Sequence, residues 1–321
     1  MKKLLILFLL ILLPSFASAD LAVHYLDVGH GDCAILLCDG ETMVIDGGDQ
    51  TVSQKLYTYL KSLGVDHIQY AVATHPHDDH IGGLPAIFHS CEVSILYTPV
   101  TRYGSDRFDT LMDKASASGT QIIIPNIGDT FAIGGAGVEV IHSGLFPDPN
   151  DCSIVLKVTY GDTSFLFTGD ITHNAESILP TADIDVDVLK VAHHGANTST
   201  SKGFVRAVSP QYAVISCSDA HDNPGKDVLY NLAGSQLYIT KAGGDVIITS
   251  DGHTITASYA QRDITTPAQE QYYIGNANSK VFHDPSCASV DKMKETNKRT
   301  LDSIEQAEQD GYRPCKNCSP T

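Results

Sequence analysis

Short apolar runs separated by Gly, Asp and Asn turns fill residues 20–258 and predict strands, with amphipathic helices between them. The predicted strands include Leu21–Val28, Cys33–Cys38, Thr42–Ile45, Ile68–Ala73, Ser94–Tyr97, Gln121–Ile124, Val186–Val191 and Tyr212–Ser216. The predicted helices are Ser53–Leu63, Arg107–Ser118, Lys202–Val208 and Lys226–Leu232. Because strands and helices do not alternate strictly, the pattern predicts an α/β domain with two mixed sheets packed face to face and helices outside.

Two hairpins are predicted, one in the middle of this domain and one at its end. One pairs Ser153–Thr159 with Ser164–Thr168 across a Tyr-Gly-Asp-Thr turn, and the other pairs Gln236–Thr240 with Asp245–Thr249. Residues 259–272 are polar and aperiodic, which is typical of a linker. The remaining residues, 273–321, are too few for a large core, so we expect them to need a metal or covalent staple.

The N-terminus has the pattern of an export signal. Lys2 and Lys3 precede the apolar run Leu4–Leu13, and Ala17-Ser18-Ala19 offers a small-residue cleavage site. The apolar run is shorter than the roughly 20 residues that span a bilayer. We therefore expect residues 1–19 to be a cleaved signal peptide, and the mature protein to be secreted or periplasmic without stable membrane insertion.

One segment concentrates metal-binding side chains. His75, His77, Asp79 and His80 lie within Thr74–Gly83, directly after a predicted buried strand. Imidazoles suit zinc, manganese or iron, and an adjacent carboxylate supports a second ion. Four ionisable groups cannot be buried together without partners. The spacing therefore predicts a metal site at a strand-to-helix turn.

Three further predicted strands end in residues of the same chemistry. Asp46 precedes Gly-Gly, Asp170 follows Gly169, and His193 and His194 follow Leu189-Lys190-Val191-Ala192. A strand-terminal Asp before Gly is by itself usually a turn residue. Together with the His-rich segment, however, these strand ends predict a hydrolytic centre with two divalent metal ions.

This set of motifs resembles the metallo-β-lactamase superfamily over nearly all of residues 21–258. The resemblance implies a four-layer αββα sandwich and a ligand set carried over residue by residue. His75 and His77 would hold one ion, Asp79 and His80 the second, and Asp170 would bridge them. Either His193 or His194 would complete the second site, with Asp46 orienting the ligand loop. Asp79 or Asp170 would orient the attacking water.

A narrower resemblance is carried by Tyr25–Ile35 and by the segments VIDGG, LKVAHHG and SPQYAVIS. They are similar to the hydrolase domain of ComEC-type DNA-uptake proteins. In that subgroup the third His of the first site is replaced. Asp151 stands there as an oxygen ligand, with His142 as the alternative. An oxygen-richer site would shift the metal preference from zinc toward manganese.

Two loop histidines are candidates for substrate contact or leaving-group protonation. His30 stands in a Gly-His-Gly turn, and His221 lies in Ser218–Pro224. We take His221 as the catalytic candidate; a solvent-facing loop role is the alternative for both.

The C-terminal residues carry a second metal pattern. His283 and Cys287 have His-x3-Cys spacing, and Cys315 and Cys318 have Cys-x2-Cys spacing, with a predicted helix at Met293–Gln309 between the pairs. Three Cys and one His suit a structural tetrahedral zinc ion. A Cys315–Cys318 disulfide is the alternative. The module at 273–321 resembles the zinc-binding domain of Ada-type repair proteins, with His283 where that family places a Cys.

Charge limits the choice of partner. Residues 20–270 contain 12 basic and 31 acidic residues, a net charge of −19, whereas residues 271–321 contain 7 of each. So acidic a domain lacks the basic surface of a tight duplex-DNA binder. The sequence predicts a secreted metal-dependent phosphodiesterase or nuclease acting on DNA, RNA or nucleotides. The alternatives are hydrolysis of a small ester, lactone or β-lactam, and a non-catalytic DNA-binding or surface protein.

Overall fold

The computed structural model describes residues 20–180, 184–219, 221–260, 272–285, 287–301 and 303–318. The predicted signal peptide and residues 261–271 of the predicted linker lie outside the described residues. Among the described helices, none combines the length and the apolar character that crossing a bilayer requires.

The strands form three sheets. The first half of the chain contributes β1 Leu21–Tyr25, β2 Ala34–Cys38, β3 Glu41–Ile45, β4 His67–Val72, β5 Glu92–Tyr97 and β6 Gln121–Ile123. The middle contributes β7 Thr130–Ile133, β8 Ala136–His142, β9 Val155–Tyr160, β10 Thr163–Phe167, β11 Val188–Lys190, β12 Tyr212–Ile215 and β13 Gln236–Ile239. Then follow β14 Val246–Ser250, β15 Ile255–Tyr259, β16 Tyr273–Asn276, β17 Val281–His283, β18 Lys298–Leu301 and β19 Arg313–Pro314.

Ten short α-helices connect these strands within the described residues. In the hydrolase-like region they are α1 Ser53–Ser62, α2 Asp78–Ile81, α3 Ile87–Ser90, α4 Asp106–Ala117, α5 His173–Glu176, α6 Lys202–Val208, α7 Lys226–Asn231 and α8 Thr240–Gly243. The C-terminal region contributes α9 Ala288–Asp291 and α10 Ile304–Gln309.

Two large sheets stack face to face, with strand orders β15-β14-β1-β2-β3-β4-β5-β6 and β13-β12-β11-β10-β9-β8-β7. Residues such as Leu36, Val158 and Phe165 fill the space between the sheets. A second apolar cluster lies between the first sheet and helices α1, α3 and α4, and a third between the second sheet and helices α5, α6 and α7. The predicted four-layer αββα sandwich is therefore confirmed.

The order of the second sheet corrects one prediction from the sequence. The predicted hairpin of Gln236–Thr240 with Asp245–Thr249 does not form. Strand β13 pairs in parallel with β12, whereas β14 pairs antiparallel with β1 in the other sheet. The short helix α8 turns the chain from one sheet to the other. The first predicted hairpin does form, with Tyr160 opposite Thr163.

The C-terminal region folds as a four-stranded sheet of order β18-β16-β17-β19. The predicted helix Met293–Gln309 is wrong over its centre, because β18 pairs antiparallel with β16 and buries Leu301. Within the described part of this range, a short 3-10 turn at Glu295–Asn297 and helix α10 at the end are helical. The region docks onto α1 of the sandwich through the ring of Tyr272, whose centroid lies 4.4 Å from that of Tyr57.

Leu36 tests the packing between the two sheets. It is fully buried on β2, so Leu36→Ala leaves a cavity and should lower the free energy of unfolding by about 2–5 kcal/mol in urea titrations. Leu145→Ala is the matched control, because that side chain is 79% exposed. Equal stability of the two variants would contradict a core between the sheets.

Candidate metal centre

The His-rich segment forms the turn between β4 and α2. Asp46, fully buried at the end of β3, holds the start of this turn. Its carboxylate accepts hydrogen bonds from the Thr74 N–H at 2.8 Å and from Thr74 Oγ1 at 2.7 Å. Gly31 packs so closely on this turn that a Cβ there would collide with the carbonyl oxygen of Asp79. The turn is thus fixed before the metal-binding side chains are placed.

Imidazole nitrogens from several elements converge on one carboxylate oxygen, Oδ2 of Asp170. The Nε2 atoms of His80 and His194 each lie 3.3 Å from it. The Nε2 atoms of His75 and His193 lie at 3.9 and 4.0 Å. Oδ1 of Asp170 is buried without a hydrogen-bond partner among the described residues. A bridging carboxylate surrounded by imidazoles has the donor set of a two-metal centre.

The Nδ1 atoms of His80 and His194, which face away from Asp170, show that a cation fits between the imidazoles and this carboxylate. His80 Nδ1 lies 2.8 Å from Oδ2 of Asp46, and His194 Nδ1 lies 3.1 Å from the carbonyl oxygen of Ser216. Because these partners only accept, they favour the proton on Nδ1 and leave a lone pair on each Nε2. The Nε2 lone pairs and the Asp170 carboxylate repel each other, so a divalent cation between them would bind to both.

Burial and charge act in opposite directions on these groups. Burial alone would raise the pKa of Asp170, but His194 and His80 outweigh it and hold that pKa well below its usual range. Burial would also lower the pKa values of His80 and His194, yet Asp170 raises both well above normal. Protons and metal ions therefore compete for the same nitrogens.

His75 and His77 form the other half of the centre. His75 Nε2 and His77 Nδ1 are 3.0 Å apart, and Nδ1 of His75 lies 3.2 Å from Oγ1 of Thr74. The Thr74 hydroxyl donates its proton to Asp46, so it must accept a hydrogen bond from Nδ1 of His75. The proton of His75 is therefore on Nδ1, and its Nε2 keeps a lone pair. These two nitrogens can share one cation.

The paired histidines differ in position. His194 is fully buried, and its Nε2 lies 3.3 Å from Oδ2 of Asp79 and 3.3 Å from Nε2 of His80. The side chain of His193 is 26% exposed, and its Nδ1 lies 3.1 Å from Oγ1 of Thr198. Both adopt positive φ angles, 52° and 53°, and their ring planes are 70° apart. The geometry favours His194 as the ligand that completes the second site.

Asp151 and His142, the two candidates for the replaced ligand, are both buried. Both carboxylate oxygens of Asp151 accept hydrogen bonds from Thr172, at 2.8 Å from its N–H and 3.1 Å from its hydroxyl. No ion pair joins Asp151 to a histidine among the described residues. His142 Nδ1 lies 2.9 Å from the Ser153 carbonyl oxygen, and Nε2 is buried without a partner there. The role of Asp151 as a ligand stays a prediction.

A buried ion pair behind the centre was missed by sequence reasoning. Lys190 Nζ lies 2.7 Å from Oδ2 of Asp32, and Oδ1 of Asp32 lies 3.4 Å from Nδ1 of His194. Burial would raise the pKa of Asp32, but Lys190 and His194 lower it to about 2. Asp32 also belongs to a group with His80, Asp170 and His194 whose ligand atoms lie within 4.8 Å of one another.

The two loop histidines lie beside the same centre. His30 Nε2 is 3.6 Å from Oδ2 of Asp79, and its ring centroid is 3.8 Å from that of His221. Burial, and then the nearby His194, lower the pKa of His30 to about 4. His221 is exposed, so the two adjacent rings connect the surface with Asp79.

The second predicted metal site also assembles. The ligand atoms of His283, Cys287, Cys315 and Cys318 lie within 4.8 Å of one another, and the first three residues are buried. These cysteines are free thiols in the structure, so the Cys315–Cys318 disulfide alternative does not form. One imidazole and three thiols in such a cluster match the donor set of tetrahedral structural zinc.

Residues 26–219 match the model of the metallo-beta-lactamase superfamily. This chain belongs to that superfamily. Residues 255–321 match the model described as the metal binding domain of Ada. The chain is thus a metallo-β-lactamase-fold hydrolase with an Ada-like zinc-binding module, and both features agree with the two metal-ligand clusters.

Curated relatives of this superfamily member include two bacterial proteins. ComE operon protein 3 of Bacillus subtilis is 26% identical over 284 residues, which cover 80% of this chain and 35% of the relative. Recombination protein 2 of Haemophilus influenzae is 26% identical over 235 residues, covering 71% and 28%. The chain therefore spans about a third of the length of these relatives.

Among solved structures, the metallo-beta-lactamase fold protein YhfI from Bacillus subtilis aligns with a TM-score of 0.49 at 13% identity. The alignment covers 72% of this chain and all of YhfI.

A variant of Asp46 tests whether metal binding depends on the hydrogen bond that holds the Nδ1 atom of His80. Asp46→Asn removes the carboxylate that orients His80 and Thr74, so metal affinity should fall about 10- to 100-fold in chelator competition. Asp113→Asn on the exposed side of α4 is the control and should keep the affinity. Unchanged affinity in the Asp46 variant would show that the metal site does not depend on this carboxylate.

A variant of Cys287 tests whether the C-terminal module binds zinc through the four residues of its metal-ligand cluster. Cys287→Ser removes one of four ligands, so elemental analysis should find one fewer zinc ion per chain than in the unaltered protein. Cys91→Ser is the control, because Cys91 belongs to neither metal-ligand cluster. Retention of all zinc in the Cys287 variant would contradict the assigned ligand set.

Proposed function

We propose that this protein is an exported, metal-dependent phosphodiesterase that hydrolyses nucleic acids or nucleotides. The observation that carries the proposal is the convergence of imidazole Nε2 atoms from His80 and His194 on one oxygen of Asp170, at 3.3 Å each. With Asp79 and the pair His75 and His77, they would hold two divalent ions, zinc or manganese.

Different residues around such a centre would have different roles in hydrolysis. When bound, the divalent ions supply Lewis acidity and a water whose pKa falls to about 7. Asp79, whose side chain is 29% exposed, and the buried Asp170 would orient the attacking water as hydrogen-bond acceptors. Asp46 and the Ser216 carbonyl keep His80 and His194 in the tautomer that presents Nε2 inward. The exposed imidazole of His221, whose ring lies beside that of His30 near Asp79, would give the leaving group a proton.

Two features favour phosphodiesters over other substrates. The relatives include one named for recombination, and the narrower resemblance is to proteins of DNA uptake. The Ada-like module is also of a kind found in DNA repair proteins. Export rests on the N-terminal sequence alone, and it would place the enzyme where extracellular or periplasmic nucleic acid is the substrate.

A substrate panel tests the proposal directly. Purified mature protein loaded with zinc or manganese should hydrolyse bis-p-nitrophenyl phosphate and single-stranded DNA, and should leave nitrocefin and a lactone intact. Turnover of the lactam or lactone without phosphodiesterase activity would replace the proposal with the small-substrate alternative. No turnover of any of the four, with metals bound, would favour the non-catalytic alternative.

His194 offers the sharpest mutational test. His194→Ala should lower turnover of bis-p-nitrophenyl phosphate by at least about 100-fold, because removing a metal ligand lowers activity more than removing a residue that only orients a ligand. His253→Ala is the matched control, because this imidazole is 76% exposed and pairs with Asp162, and neither residue belongs to a metal-ligand cluster. Similar rates in both variants would remove His194 from the catalytic centre.

A further inference from the structure

Imidazole nitrogens surround a second carboxylate oxygen in the metal centre, Oδ2 of Asp79. This atom lies 3.3 Å from Nε2 of His194 and 3.6 Å from Nε2 of His30. It lies 4.0 Å from Nε2 of His80. One ligand atom from each of His30, Asp79 and His194 can be chosen so that the three atoms lie within 4.8 Å of one another. His30 is therefore in reach of an ion that Asp79 and His194 would bind.

The separation of these atoms suits a shared cation better than a hydrogen bond. At 3.6 Å, the contact between His30 and Asp79 is longer than a hydrogen bond. Two ligand atoms that bind one zinc ion at about 2.1 Å with tetrahedral angles lie about 3.4 Å apart. The two short distances from Asp79 Oδ2, 3.3 and 3.6 Å, lie on either side of that value.

The imidazole of His30 lacks the hydrogen bonds that usually hold a half-buried ring. Its Nδ1 is buried without a partner among the described residues, and the side chain as a whole is 28% exposed. A buried polar group without a partner costs free energy, so a histidine at such a position needs another explanation. A cation beside Asp79 would bind a lone pair of this ring.

The backbone holds His30 against the metal-binding turn. Gly29 and Gly31 have φ angles of 75° and 125°, and a Cβ at Gly31 would collide with the carbonyl oxygen of Asp79. The N–H of Asp32 donates a hydrogen bond to that same oxygen at 3.3 Å. The Gly-His-Gly turn is thus docked on the residue whose carboxylate faces His30. Main-chain contacts place this imidazole, which a solvent-facing loop histidine would not require.

We propose that His30 is a further ligand of the divalent ion that Asp79, His80 and His194 would hold, which rests on the metal centre of the proposed function. This half of the centre would then have three imidazoles. Imidazole suits zinc, whereas carboxylate and water suit manganese. His30 thus makes this half select zinc over manganese, and the role of proton donor is left to His221.

Metal affinity of the purified mature protein, measured by chelator competition, tests this ligand. His30→Gln keeps a polar side chain of similar size but removes the imidazole donor. The affinity for one zinc ion per chain should fall at least about tenfold, as for other changes around a metal site. The affinity for manganese should fall less than about threefold, because manganese depends less on imidazole. His253→Gln is the matched control, since this imidazole is 76% exposed and belongs to no metal-ligand cluster.

His221→Gln separates metal ligation from packing of the two rings. The variant removes the ring whose centroid lies 3.8 Å from that of His30, but it removes no proposed ligand. Its zinc affinity should equal that of the unaltered protein. Equal losses of zinc affinity in the His30 and His221 variants would show that ring packing is responsible, and would overturn the inference.

Cobalt(II) gives a readout that a purely structural role would not change. The visible absorption of bound cobalt depends on the number of nitrogen and oxygen ligands, so His30→Gln should alter the spectrum and His221→Gln should not. Urea unfolding of the metal-free proteins should give the same midpoint for His30→Gln and the unaltered chain. An unchanged cobalt spectrum and zinc affinity in His30→Gln, or a lower midpoint of its metal-free form, would overturn the inference.

These readouts need no turnover, so they are separate from the substrate panel. Loss of zinc affinity in His30→Gln, in a protein that hydrolyses no phosphodiester, would keep the ligand and remove the proposed activity. Full zinc affinity in His30→Gln, in a protein that hydrolyses bis-p-nitrophenyl phosphate, would remove the ligand and keep the activity.

Discussion

The structure depends on one electrostatic constraint, which is that several imidazole lone pairs point at a single buried carboxylate oxygen of Asp170. Acceptors behind the rings, chiefly Asp46 and the Ser216 carbonyl, favour the proton on the outer nitrogen. The inner nitrogens then face negative charge, and only a cation or added protons relieve the repulsion. The αββα sandwich brings these side chains together, because each ligand follows the end of a strand from one of the two stacked sheets.

The sequence predicted the centre better than its surroundings. The ligands around His75 and His80 could be predicted because their spacing is local and few other roles explain it. The ion pair of Asp32 with Lys190 was missed, because its members are 158 positions apart and neither stands in a metal-binding pattern. The final hairpin was predicted wrongly, since alternating apolar residues show that β13 and β14 are strands but not which sheet each one joins. Strand β18 was taken for helix because it is short and polar.

The Ada-like module extends the hydrolase through packing as well as charge. The ring of Tyr272 packs at a tilt against Tyr57 of α1, and Lys114 of α4 pairs with Glu295 of the module. Buried aromatic contact fixes the module against the helical layer, whereas the ion pair places basic groups at the edge of the contact. The module therefore packs beside helix α4, which begins next to the metal-binding turn.

Anomalous X-ray scattering at the zinc and manganese absorption edges tests the central claim most directly. Crystals of protein purified without chelator should show metal peaks on both sides of Asp170 Oδ2, one bonded by His80 and His194 and the other by His75 and His77. The contradicting result is a centre without anomalous density in which His80 and His194 hydrogen-bond directly to Asp170. In that case protonated imidazoles would balance the carboxylate, and the cluster would be a buried ion-pair network with no hydrolytic metal site.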